Sequence, residues 1–340
     1  MEKRFFGEQS IRFERKPYLA AAASVVGPKE GAGPLGGSFD RVLDDAKWGQ
    51  DSFEQAERAM FREACEMCVR KAHADLRDVR CLLGGDLTNQ IMAASLAARE
   101  LELPFLGLYG ACSTLTESLL MGAMLVDGGY ADRVVCAAGS HFCTAERQYR
   151  FPLEYGNQRP PAAQWTVTGA GAYLLAEEGE GPRVAMGTVG RVVDLGVTDA
   201  NNMGAAMAPA AADTLLKHFA DTGRSPADYD CIVTGDLGEV GSHILYELLS
   251  HSKVTLNEKK HMDCGRIIFD TSQDVHAGGS GCGCIASVLC AALLPKLASG
   301  AWRRAAVMAT GALLSPTTSQ QGESIPGVAH LIVLEGKETC

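Results

Sequence analysis

A cysteine at the start of a predicted helix is the residue of this chain best placed to do chemistry. The apolar run 103–109 predicts a strand, and the turn Gly110-Ala111-Cys112 follows it directly. Ser113 then opens an apolar segment that predicts a helix over 113–127, ended by Gly128-Gly129. The free N–H groups and the positive dipole end of a helix favour a thiolate, and they also bind anions. Cys112 is therefore predicted to be either a nucleophile or part of an anion-binding site.

Polar side chains follow other predicted strands. Ser140 and His141 end the strand that begins near residue 133, where the switch-point rule for α/β sheets places groups that bind a ligand. Asp86 and Asp236 also follow predicted strands. They could contact calcium, but the pattern favours carboxylates that cap helices or hold turns.

Composition limits the classes of function. The chain has 340 residues, of which 46% are hydrophobic and 21% are charged, so it has the composition of an ordinary folded protein. Its formal charge of −10 and the lack of a basic stripe argue against nucleic-acid binding. No apolar run approaches the roughly 20 residues of a membrane-spanning helix. The run 18–27 follows a mixed-charge segment, so it predicts a first strand rather than a signal peptide, and we expect a cytosolic protein.

Most of the twelve cysteines stand singly in apolar runs, which predicts reduced, buried thiols. Cys65 and Cys68 form a C-x-x-C inside a predicted helix, without a second pair at zinc-ribbon spacing. The glycines around Cys282 and Cys284 indicate close backbone packing rather than ligation of a metal. We therefore predict neither a metal centre nor a cofactor.

The two halves of the chain contain similar sequence features at similar spacings. Cys81 and Cys231 lie in similar strand-like runs, as do Asp86 and Asp236, and each pair is separated by 150 residues. The stretch 279–312 similarly echoes the segment around Cys112. These echoes predict an ancestral duplication into halves 1–180 and 181–340, each an α/β unit of parallel-rich sheet covered by helices. The helical patterns at 113–127 and 284–298 are apolar on nearly every face, so both helices should lie between two sheets.

A duplicated α/β chain with a cysteine at the head of a doubly buried helix resembles the thiolase-like αβαβα layered fold built from two pseudo-repeat halves. More narrowly, residues 17–335 resemble the stage V sporulation protein AD family. The stretches that carry this resemblance are GPLG (33–36), GDLTNQ (85–90), GACST (110–114), VDGG (126–129), TAERQYR (144–150), TVTGAGA (166–172), AMAPAAADT (206–214), TGDLG (234–238), AGGSGCGC (277–284), ATGALLSPT (309–317) and ESIP (323–326).

The resemblance implies a function in endospore formation. Members of this family are expected to bind dipicolinic acid (pyridine-2,6-dicarboxylate), alone or as its calcium chelate. They are expected to act with membrane proteins of the same operon in moving that compound into the developing spore, so the chain would lie peripherally on the forespore membrane. The thiolase-like fold further implies a homodimer.

The residues weigh against condensing chemistry. Synthases of this fold use a histidine early in the second half, and an asparagine in the loop before the second buried helix, to stabilise an enolate. The matching positions here are Asp236 and the loop Gly278-Gly279-Ser280-Gly281. A carboxylate would repel a developing enolate, and His276 is the nearest substitute that the sequence offers. We therefore predict a protein that is not an enzyme, with a ketoacyl-synthase-like acyltransferase using Cys112 as the alternative.

A planar aromatic dianion requires N–H donors, a guanidinium group and a flat apolar wall. The segment 144–151 interleaves such groups. We predict that Arg147 or Arg150 pairs with a carboxylate while Tyr149 or Phe151 lines the ring, and an ordinary solvated loop is the alternative. The remaining predicted ligand-binding residues are Cys112, Ser140, His141, Asp86, Asp236, Gly279 and Ser280.

Overall fold

The computed structural model describes residues 4–149 and 159–336, in which strands and helices alternate. The strands before residue 180 are β1 (Phe5–Phe6), β2 (Ser10–Arg12), β3 (Tyr18–Val26), β4 (Arg41–Val42), β5 (Cys81–Asp86), β6 (Phe105–Gly107), β7 (Arg133–Ser140), β8 (Trp165–Thr166) and β9 (Gly169–Ala176). The later strands are β10 (Arg183–Thr188), β11 (Cys231–Thr234), β12 (His261–Asp263), β13 (Gly279–Ser280), β14 (Arg304–Ala312) and β15 (Gly327–Glu335). The α-helices are α1 (Pro28–Gly31), α2 (Phe53–Lys71), α3 (Met92–Leu101), α4 (Thr114–Asp127), α5 (Phe142–Tyr149), α6 (Met203–Thr222), α7 (Gly238–His251), α8 (Cys264–Ile267), α9 (Cys282–Val288), α10 (Leu294–Ala298) and α11 (Pro316–Gln320).

Five strands of each half follow the same spatial order. The order is β6-β5-β7-β9-β3 in the first half and β12-β11-β14-β15-β10 in the second. In both halves the first three strands are parallel, and the fourth is antiparallel to both of its neighbours. The halves meet where β3 pairs with β10, while β8 and β13 form a separate parallel pair. The predicted α/β fold of two pseudo-repeat halves is confirmed.

Helices form three layers around the two parts of the sheet. Helices α2 and α3 cover the outer face of the first half, in a core that includes Phe61 and Leu174. Helices α6 and α7 cover the outer face of the second half, in a core that includes Met207 and Leu245. Helices α4 and α9 lie in the central layer, whose core draws residues from both halves. The result is the αβαβα arrangement.

The central helices are held to strands by buried hydrogen bonds. The Ala309 N–H on β14 donates to Thr116 Oγ1 of α4 at 3.3 Å, and the Tyr173 hydroxyl on β9 donates to the Ala286 carbonyl of α9 at 2.5 Å. Helix α9 is buried along its whole length and continues through a π-type segment, Leu289–Leu293, into α10. The prediction of two helices between the sheets is therefore confirmed. Within residues 4–149 and 159–336, no helix is long and apolar enough to cross a bilayer.

Helix α6 begins earlier than the sequence indicates. Proline is typical of the first turn of a helix, so Pro209 predicts a start near Met207, whereas the structure begins the helix at Met203. The Asn202 side chain accepts a hydrogen bond from the Ala205 N–H at 3.2 Å and so caps the helix there. Pro209 therefore lies inside the helix.

Candidate functional site

A strained turn presents Cys112 at the head of α4. Ala111 adopts a left-handed conformation, with φ of 50°, which is uncommon for a residue other than glycine. The Thr114 hydroxyl holds the turn: it donates to the Ala111 carbonyl at 2.7 Å and accepts from the Gly110 N–H at 3.1 Å. On the other side, a Cβ atom at Gly311 of β14 would lie 2.1 Å from the Gly110 carbonyl oxygen. Strand β14 thus packs directly on the turn because Gly311 has no side chain.

A cavity of about 260 Å³ opens beside Cys112. Its apolar wall includes Leu87, Met203 and Leu314. The polar side chains that line it are Glu146, Tyr149, Gln164, Thr166, Asn201 and Ser280. All of these groups carry oxygen, and among the described lining residues there is no lysine, arginine or histidine.

A buried carboxylate lies close to the thiol. Asp236 Oδ2 accepts hydrogen bonds from the Ser280 hydroxyl at 2.8 Å and from the Gly281 N–H at 2.9 Å, and Oδ1 accepts one from the Thr310 hydroxyl at 2.9 Å. Ser280 Oγ in turn lies 4.0 Å from Cys112 Sγ. Asp236 therefore ties the loop before α9 to β14 and places a carboxylate beside the sulfur.

These surroundings keep the thiol neutral. Burial raises the pKa of Cys112 well above its usual value, and the nearby Asp236 carboxylate raises the pKa further. Burial also raises the pKa of Asp236. Desolvation thus outweighs the thiolate-favouring effect of the helix terminus, and Cys112 is protonated at neutral pH.

Ser140 and His141 are buried at the end of β7, outside the lining of the cavity. The Ser140 hydroxyl donates to the Val167 carbonyl at 2.7 Å and accepts from the Gly283 N–H at 3.0 Å, so it joins β7 to α9. His141 Nδ1 accepts from the Cys143 N–H at 3.1 Å, and Nε2 lies 2.8 Å from the Ala46 carbonyl. Both side chains are therefore hydrogen-bonded to backbone groups.

The segment 144–151 divides between the cavity and the surface. Tyr149 lines the cavity, and its hydroxyl lies 3.2 Å from that of Tyr109. Arg147 is half-exposed and pairs with Glu54, away from the cavity. Arg150 and Phe151 lie outside the described residues, so their predicted roles stay predictions.

Asp86 and Gly279 support the walls of the site. Asp86 accepts hydrogen bonds from the N–H groups of Thr88 and Ala94, both at 2.7 Å, and so fixes the turn between β5 and α3. The α-helix begins at Met92, after a 3₁₀ turn. The Gly279 carbonyl accepts from Gln164 Nε2 at 2.8 Å.

His276, Cys282 and Cys284, which the sequence singled out, do not line the cavity. His276 Nδ1 lies 2.9 Å from the Pro160 carbonyl and Nε2 lies 3.1 Å from Asp274, and this histidine does not line the cavity. The Cys282 thiol donates to the Gly139 carbonyl at 2.9 Å, and the Cys284 thiol to the Gly235 carbonyl at 3.5 Å. Among the described residues, no three His, Cys, Asp or Glu side chains are grouped to hold a metal ion.

Sequence reasoning missed Glu146, Gln164 and Asn201 as cavity residues. Glu146 lies within the segment 144–151, for which the sequence prediction named only arginine and aromatic side chains as ligand-binding groups. Gln164 and Asn201 are far from Cys112 along the chain and belong to no repeated or periodic pattern. Only the fold brings them to the cavity.

The five layers and the cysteine turn define a protein of the thiolase-like class. Crystal structures of OleA from Xanthomonas campestris share this fold. The acetamide-bound form has a TM-score of 0.63 and 16% sequence identity, covering 96% of this chain and 100% of the OleA chain. The cerulenin-bound form has a TM-score of 0.63 and 14% identity, covering 95% and 98%. At such identities the likeness shows the fold alone.

The family follows from closer comparisons. A family model described as Stage V sporulation protein AD (SpoVAD) matches residues 7–335. Over 329 residues the chain is 46% identical to stage V sporulation protein AD of Bacillus subtilis (strain 168), and the match covers 97% of each chain. The chain therefore belongs to the stage V sporulation protein AD family: it is a sporulation protein with a thiolase-like fold, as the resemblance predicted.

Proposed function

We propose that this protein binds dipicolinate, as its calcium chelate, for uptake into the developing spore, and that it does not catalyse a reaction. The observation that carries the proposal is the character of the cavity: oxygen-bearing side chains and apolar walls surround a thiol that burial and, to a lesser extent, a nearby carboxylate keep neutral. Membership of the stage V sporulation protein AD family supports the role in sporulation.

The polar lining favours the chelate over the free dianion. Calcium takes six to eight oxygen ligands. Dipicolinate fills only part of this coordination shell, so the ion can still bind oxygen atoms of the protein. The Glu146 carboxylate, the Tyr149 hydroxyl and the Asn201 amide offer such oxygen atoms. A free dianion requires cationic donors, which the described lining does not provide.

The size of the cavity fits a small planar ligand. At about 260 Å³ it lies just below the range for small-molecule sites, roughly 300–1,000 Å³. One aromatic ring fits against the apolar wall formed by residues such as Leu87 and Leu314. A long acyl chain would need more room than this cavity provides.

Asp236 is the reason to propose binding rather than catalysis. A condensing enzyme needs neutral or cationic hydrogen-bond donors directed at the substrate oxygen that becomes negative. The charged group beside Cys112 is instead a carboxylate, and it would raise the energy of a developing enolate. A ketoacyl-synthase-like acyltransferase remains the second candidate because the strained Ala111–Cys112 turn presents a thiol at a helix terminus.

We also propose that the protein is a homodimer and acts with membrane proteins of the same operon. In support of the dimer, β6 lies at the end of the strand order of the first half. Leu106 and Tyr109, in and beside this strand, are 46% and 44% exposed. A second copy placed there would bury apolar surface and cover an edge strand.

Calorimetric titration tests the proposed ligand. We expect saturable binding when dipicolinate and calcium are added together, and much weaker binding of dipicolinate in the presence of a calcium chelator. Glu146→Gln should weaken binding of the chelate about tenfold, because it removes a charged oxygen ligand. Glu177→Gln, at an exposed carboxylate paired with Arg15, is the matched control and should leave the affinity unchanged. Equal affinities of the unsubstituted protein, Glu146→Gln and Glu177→Gln for the chelate would contradict the placement of the ligand in this cavity.

A further inference from the structure

A second polar cluster lies outside the cavity and centres on Trp165. Its neighbours Gln164 and Thr166 line the cavity, whereas Trp165 does not. This is the arrangement expected of a strand, in which successive side chains point to opposite faces. The Phe142 ring stacks on the Trp165 ring with centroids 3.8 Å apart and planes 6° from parallel.

Two cations converge on the same indole ring. Lys29 Nζ lies 4.1 Å from the Trp165 ring centroid, and the Arg159 guanidinium carbon lies 4.6 Å from it. Each contact is a favourable cation–π interaction, but two like charges held together repel one another. The pKa of Lys29 is lowered by burial and by this arginine.

The described carboxylates neutralise the two cations only in part. Among the described residues, Arg159 has one ion pair, to the exposed Asp274 at 3.5 Å, and that carboxylate also pairs with His276. Lys29 has no carboxylate within 4.0 Å among the described residues, and its Nζ donates to the Gln273 carbonyl at 2.5 Å. The cluster therefore keeps an excess of positive charge.

Two other observations point to a missing acceptor. The Arg159 side chain is only 11% exposed, yet its buried Nη1 has no hydrogen-bond partner in the described part of the chain. A buried donor without an acceptor costs about 1–3 kcal/mol, and more when it is charged. The adjacent acid Glu30 acts on Lys29 electrostatically but forms no ion pair with either cation among the described contacts: its Oε1 accepts from the Thr168 N–H at 2.9 Å, and burial raises its pKa to about 7.

We propose that Lys29 and Arg159 form a binding site for a small oxyanion, a carboxylate or phosphate group, beside Trp165. One oxygen would accept from the unpartnered guanidinium nitrogen, and the charge would offset the repulsion between the two cations. This site is distinct from the cavity beside Cys112 and does not depend on the function proposed for that cavity. A free dicarboxylate and inorganic phosphate are both suitable sources of the group.

The three tryptophans provide a direct test. The full chain is labelled with 5-fluorotryptophan, and its resonances are assigned with single Trp→Phe variants. Inorganic phosphate and, separately, dipicolinate without calcium are titrated at constant ionic strength. We expect a saturable shift of the Trp165 resonance with at least one of them. The dissociation constant should rise at least about tenfold in Lys29→Gln and in Arg159→Gln.

Trp302 is the internal control, because Lys296 lies 4.7 Å over its ring without a second cation there among the described contacts. Neither anion should shift Trp302 saturably, and Lys296→Gln should leave the response of Trp165 unchanged. The anion that shifts Trp165 identifies the source of the group. No saturable shift with either anion, an equal shift of Trp302, or an unchanged response in both site variants would overturn the proposal.

Discussion

Replacing Asp236 with alanine is expected to lower the free energy of unfolding by about 3 kcal/mol. The substitution leaves three buried donors without their acceptor: the Ser280 hydroxyl, the Gly281 N–H and the Thr310 hydroxyl. Each such donor costs about 1–3 kcal/mol, and removal of a desolvated carboxylate offsets part of the sum. The shift in the urea unfolding midpoint measures the effect.

Asp194→Ala is the matched control. Asp194 accepts two hydrogen bonds, from the Ser324 hydroxyl and from the Gly196 N–H, and these bonds are exposed. Water can replace an exposed acceptor, so this variant should lose no more than about 0.5 kcal/mol. If the two variants lost the same stability, the buried network around Asp236 would not tie the loop before α9 to β14.

The second large effect is expected at Gly311. In Gly311→Ala the new Cβ atom would lie 2.1 Å from the Gly110 carbonyl oxygen and 3.3 Å from the Cys112 nitrogen. These are backbone atoms of a strained turn, so they cannot move aside as the end of a flexible side chain could. We expect a loss of about 2–3 kcal/mol in stability from overpacking and at least a tenfold loss of affinity for calcium dipicolinate.

Gly37→Ala distinguishes this local effect from a general cost of replacing glycine. A Cβ atom at Gly37 meets no other atom within 4 Å. The unfolding midpoint of Gly37→Ala and its affinity for calcium dipicolinate should match those of the unsubstituted protein. If Gly311→Ala kept the unfolding midpoint and the ligand affinity of the unsubstituted protein, β14 would not set the position of the Cys112 turn.

The sequence was sufficient to predict the fold because the duplication left local signals in both halves. The pairs Cys81/Cys231 and Asp86/Asp236 mark strands β5 and β11, which occupy the same place in the two strand orders. The apolar pattern around 113–127 has no polar face, and such a helix is stable only between two layers. These signals depend on neighbours in the sequence, so they can be read without the structure.

The site was harder to predict because its residues come together only through the fold. A polar residue at the end of a strand can face the cavity or bond to backbone, and sequence does not distinguish these cases. Ser280 faces the cavity, whereas Ser140 and His141 are occupied by carbonyl and N–H groups. Arg147 likewise pairs with Glu54, a residue 93 positions away on α2.

The state of the thiol shows which physical effect prevails. A helix terminus lowers the pKa of a thiol, and this expectation depends only on local structure. Burial and the carboxylate of Asp236 act in the opposite direction, and they arise from tertiary packing. The balance between them could be weighed only once the surroundings of Cys112 were known.

Mass measurement after incubation with acyl-coenzyme A tests the central claim most directly, namely that Cys112 does not act as a nucleophile. We predict no acyl adduct on the intact protein at neutral pH, because the thiol is protonated and faces a carboxylate. Alkylation of the unfolded chain should label the peptide that contains Cys112, which shows that the peptide is detectable. An acyl group mapped to Cys112, and absent from Cys112→Ser, would contradict the account and favour the acyltransferase.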